Sequence, residues 1–130
     1  MLGHSLHPVL TDLTLGFWTS ATLLDVLGGG ACRRAAALLT SAGVAVAVPT
    51  AVAGAADWAE MTDSERRVGA VHALGPDVAT FLFMGSRVAR LRGRYAAATR
   101  LGLGANLVMM GAGFLGGHLA LNQGTARRDQ

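Results

Sequence analysis

Four long apolar segments constrain this chain more than any other feature. They run from about Pro8 to Leu27, Ala35 to Ala56, Ala70 to Leu91 and Ala97 to Leu121. Each matches the roughly 20 residues a helix needs to cross a bilayer. The breaks between them hold glycine or charge clusters: Gly28 to Arg34, Asp57 to Gly69, and Arg92 to Tyr95. A membrane core has no water to hydrogen-bond an exposed backbone, so an unclosed set of spans must be helical. A soluble bundle would show one polar face per helix, and the stretch AAALLTSAGVAVAVPTAVAGAA shows none. The expectation is an all-α integral membrane bundle of four transmembrane helices, one domain over residues 1–130.

Composition agrees and excludes other classes. Apolar residues make up 52% of the chain, charged residues only 15%, and mean hydropathy is +0.42. That content rules out disorder, and the single Cys32 rules out a disulfide scaffold. A pI near 10.4 would point to nucleic acid in a polar protein. Here the arginines flank apolar runs, where anionic lipid is the expected partner, so no nucleic-acid partner is expected. There is no Walker loop, nucleophile elbow or paired-cysteine metal motif.

Arginine placement sets the expected orientation. Arg33, Arg34, Arg87, Arg90, Arg92, Arg94 and Arg100 cluster at the first and third connections. Arg66, Arg67, Arg127 and Arg128 lie on the other side, interleaved with Asp57, Glu60, Asp63, Glu65 and Asp129. The positive-inside rule then puts both termini outside the cytoplasm and the two short arginine-rich turns inside. The opening MLGHSLHP carries no Lys or Arg, so the first segment reads as a permanent helix and not as a signal peptide. Cys32 falls on the reducing side, as an inert thiol near a helix start.

The two halves repeat. His7-Pro-Val-Leu-Thr-Asp12 matches His72-Ala-Leu-Gly-Pro-Asp77 at an offset of 65 residues, and beyond it Trp18 aligns with Phe83. Two hairpins in the same orientation imply an axis along the membrane normal. That axis would set helices one and three on a diagonal, with His7 and His72 facing across it.

All four histidines fall at one level. His4 and His7 open the first helix, His72 the third, and His118 closes the fourth. Ligating groups at membrane depth are costly and suggest function. Imidazole is the usual axial ligand of b-type haem, and bundle cofactor sites are built from facing helices. The run Gly111 to His118 supplies small residues for close approach to a flat ligand, with Gly113 and Gly117 as one small-xxx-small pair. Pro76, four residues after His72, loosens the turn at a candidate ligand, whereas Pro8 reads as an ordinary proline at a helix start. The ranking is His7 with His72 as axial ligands, then His118, then His4. With both axial positions filled, electron transfer is expected, with quinol or a soluble carrier as exchange partner, and not substrate catalysis. The alternatives from the same residues are a zinc or copper site with Asp57 nearby, and a cofactor-free accessory subunit. Asp12, Asp25 and Asp77 lie within spans. A structural, partnered role is expected for each ahead of proton transfer: Asp25 with Arg33, Arg34 or Arg90, and Asp12 and Asp77 with Asn106, threonines or a histidine on a neighbouring helix.

The segments GHSLHPVLTDLTLGFWTSATLLD, AGAADW, the histidine opening the third span and GFLGGHLALNQG together resemble the DUF2231 family of bacterial four-helix membrane proteins. The likeness covers nearly the whole chain. The family commonly has proline where this chain has Asp12, so no family role carries over to that acid. Some members continue into a Rieske iron–sulfur domain, and the resemblance therefore implies a redox setting, with a Rieske-type or other redox partner and a possible oligomer.

Overall fold

The computed structural model describes the backbone of residues 3–128 and the side chains of 6–63 and 66–117. The described residues form four α-helices and no strand: α1 (Gly3–Leu27), α2 (Arg33–Ala59), α3 (Asp63–Leu91) and α4 (Tyr95–Arg128). A short 3-10 turn, Gly29–Cys32, joins α1 to α2. At 1.5 Å per residue the helices are about 37 to 50 Å long, and each runs past its apolar stretch. All four helices begin ahead of the apolar stretches read from sequence, by two residues in α2 and α4 and by more in α1 and α3. Pro8 accordingly sits inside α1 and not at its first position, and Pro49 and Pro76 are likewise internal. Proline inside helices is tolerated in membrane bundles because neighbours re-satisfy the freed carbonyls.

Two helices, Gly29–Ala59 with its leading turn and Arg66–Leu91, are apolar and long enough to cross a membrane by composition alone. Helix α1 is diluted by Asp12, Asp25 and its threonines, and α4 by Asn106 and glycines. Three of the four α1 threonines hide their polarity locally. Thr11, Thr14 and Thr22 donate to the carbonyls of His7, Leu10 and Trp18, at 2.8, 2.9 and 3.0 Å.

Helix α1 packs beside α2 and α4, and α3 beside α2 and α4, so α1 and α3 lie on a diagonal. The repeat predicted this arrangement, and the contacts on the diagonal are between its equivalent residues. Trp18 stacks on Phe83 with ring centroids 4.3 Å apart and planes 17° off parallel. One helical stretch nearer the arginine end, Arg90 donates to both carboxylate oxygens of Asp25, the Nη1 bond measuring 2.9 Å. Both side chains are almost wholly buried.

The interior is otherwise small: Ala21, Ala36, Ala79, Ala98, Ala105, Thr40 and Ser86 are fully buried. The large aliphatic and aromatic side chains point out, among them Leu38, Val52, Phe81, Leu107, Met110 and Phe114. Water-soluble proteins place these the other way round. A small-residue core under a large apolar exterior is how helices pack when lipid covers the outside. Close approach is visible at Gly43, where the indole of Trp18 occupies the space a Cβ would need.

Candidate functional site

Helix direction alternates, so the start of α1, the end of α2, the start of α3 and the far part of α4 share one end of the bundle. His7 stands on the second turn of α1, half-buried, and its Nδ1 lies 3.1 Å from the Thr50 carbonyl of α2. The ring reaches that backbone because Gly54 has no side chain. A methyl group there would sit 2.8 Å from His7 Cε1. Donation from Nδ1 to a carbonyl leaves Nε2 with its lone pair, the form in which histidine binds a metal.

His72 likewise lies against a glycine in the second hairpin. Its ring lies over Gly116 of α4, where a methyl group would approach Nδ1 to 2.9 Å. His72 is more exposed than His7 and lines an apolar groove of about 310 Å³ with Gly75, Gly111, Ala112, Leu115 and Gly116. That volume is at the lower end of ligand-sized pockets, about 300 to 1,000 Å³. The groove exists because Gly75 is packed directly against Ala112, holding the α3 and α4 backbones close. Ala112 and Gly116 form the small-xxx-small stripe that faces α3. Gly113 and Gly117, the pair expected from sequence, have open space around them, because the inward face of α4 is one residue out of step with that pair.

Each histidine is therefore held against the second helix of its own hairpin. The side chains of His4 and His118 lie outside the described residues. Among the described residues, no three His, Cys, Asp or Glu side chains come together as a metal-binding group. Asp12 and Asp77 are exposed on α1 and α3. Asn106, an expected partner for them, instead donates to Thr22 Oγ1 at 2.7 Å and to the Gly102 carbonyl at 3.1 Å.

The α2–α3 connection closes this end. Trp58 Nε1 donates to the Arg66 carbonyl at 3.1 Å, and the Arg66 guanidinium lies 5.4 Å over the Trp58 ring. Arg66 also donates to the carbonyls of Met61 and Ala59, each at 3.0 Å. Gly69 leaves room for Met61 and Trp58 beneath the turn. An aromatic ring and an arginine fixed together suit the membrane–water boundary.

The family model for DUF2231, described as a predicted membrane protein, matches residues 3–128. The chain belongs to the DUF2231 family. No curated protein and no solved structure matches it. In this DUF2231 chain the histidine motifs were readable in sequence, whereas their supports Thr50, Gly54 and Gly116 were not singled out. The Thr50-x-x-x-Gly54 spacing was the available clue, since it sets an acceptor and a gap one turn apart on the same face.

Proposed function

We propose that this membrane protein binds haem b at its histidine end and passes electrons, with His7 and His72 as axial ligands and His118 and His4 as alternates. The observation that carries the reading is the Nδ1 contact of His7 with the Thr50 carbonyl, which fixes the ring and leaves Nε2 for a metal. Haem fits this chemistry better than zinc or copper, because haem iron needs two imidazoles from the protein and a closed tetrahedral site needs four ligands. When bound, the group supplies a one-electron redox centre. The chain's part is to hold the imidazoles, with Thr50 and Gly54 setting His7 and Gly116 seating His72. The open apolar groove beside His72 offers an edge for quinol or a redox partner such as a Rieske protein.

The proposed arrangement is four spans in a bacterial inner membrane, both termini outside and both arginine-rich connections inside. In a Cys32→Ser background, Asp63→Cys should label with a membrane-impermeant maleimide on intact cells, and Ala31→Cys should not. The reverse pattern inverts the orientation.

Purified protein should show a sharp Soret band and a low-spin reduced spectrum unchanged by carbon monoxide. His7→Ala and His72→Ala should each lower haem content at least tenfold while the helical circular dichroism stays. Colourless wild-type protein, reconstituted with haemin without a Soret shift, would sink the haem reading in favour of a cofactor-free subunit. A carbon monoxide shift in the native protein would mean an open iron site and hence an enzyme or sensor.

A further inference from the structure

The opposite end of the bundle holds a second concavity, of about 420 Å³, lined chiefly by Arg33, Arg94, Tyr95, Ala97 and Arg100. Every charged group in its lining is positive, and no carboxylate faces it. The nearest intramembrane acid, Asp25, is engaged by Arg90. Arg33 is held in place by the Tyr95 ring, its guanidinium 4.2 Å from the centroid. Gly93, at φ +70°, reverses the chain so that Arg94 precedes the first turn of α4. The first helical bond there is from the Ala98 amide to the Arg94 carbonyl at 3.0 Å. The amides of Tyr95, Ala96 and Ala97 thus come before any helical acceptor, and the residue ahead of them is an arginine, which can donate but cannot cap.

Three arginines lining one shallow basin with no acidic residue among its lining call for an anion, and phosphate oxygens match guanidinium geometry. The flanks call for an apolar tail. Leu103 and Leu107 are exposed on the turns of α4 that follow Arg100, on the same face and toward the middle of the helix. We infer that this basin binds the phosphate headgroup of one anionic phospholipid, whose acyl chains lie along the outer face of α4. The site is separate from the histidine end and does not depend on any cofactor there.

The test uses delipidated protein in detergent, with the thermal unfolding midpoint followed as phosphatidylglycerol, phosphatidylcholine or inorganic phosphate is titrated in. Phosphatidylglycerol should raise the midpoint saturably, and the other two should not. The double variant Arg33→Gln/Arg100→Gln should weaken phosphatidylglycerol binding about 25-fold, at about fivefold per guanidinium near a lipid surface. Arg92→Gln, which lies outside the basin, should leave binding unchanged. Equal stabilisation by phosphatidylcholine, or by inorganic phosphate, overturns the assignment. So does an Arg92→Gln effect as large as that of the double variant, since that would describe a diffuse basic belt and not a site.

Discussion

Asp25→Asn is expected to destabilise the protein by about 3–5 kcal/mol, the cost of leaving a buried partner charge uncompensated. Arg90 is buried against Asp25 on the diagonal of the bundle, and its Nε already has no hydrogen-bond partner. Taking away the carboxylate charge leaves a guanidinium inside an apolar bundle. The double variant Asp25→Leu/Arg90→Met should recover most of the loss, because it removes both desolvation costs together. Unfolding of each variant in mixed micelles, followed by circular dichroism against added dodecyl sulfate, measures this. A single variant that costs less than about 1 kcal/mol would mean that Arg90 escapes to the interface along its own stem. The ion pair would then not hold α1 to α3.

The second large effect is expected at the aromatic pair. Trp18 lies between Phe83 and the backbone at Gly43, with no room for a Cβ at that glycine. Gly43→Ala should therefore destabilise by about 1–3 kcal/mol through overpacking, although alanine is the better helix former. Trp18→Ala should cost about 3–5 kcal/mol by emptying the same layer. Gly104→Ala is the control, because nothing lies within reach of a methyl there, and it should be neutral or stabilising. Combining Trp18→Phe with Gly43→Ala should cost less than the two single changes added, since the smaller ring makes room for the methyl. Strict additivity in that cycle would place the origin of the Gly43 effect elsewhere.

Much of the architecture was readable before any coordinates. The apolar runs marked four helices because an unclosed chain in lipid has no other way to satisfy its backbone. The offset between His7 and His72 disclosed the two hairpins and set α1 and α3 diagonally, an arrangement seen in the Trp18–Phe83 stack. Asp25 was expected to meet Arg33, Arg34 or Arg90. Sequence could not choose among them, since all three lie near the same level. Packing chose Arg90 because it projects onto the bundle axis, while Arg33 lies on Tyr95.

What sequence alone determined, then, is the set of helices, their order and the level of each polar group along them, because rise per residue is constant. Only the tertiary structure decided how each helix is rotated about its own axis. In water an apolar stripe announces the inward face, but here apolar residues cover every face, and the inward side is marked by small residues at close approach. That rotation is why Gly116 and not Gly113 or Gly117 meets α3, and why His72 lies in an open groove while His7 is half-buried. It also seats His7 on the carbonyl of Thr50, a contact between residues 43 positions apart that no local pattern encodes.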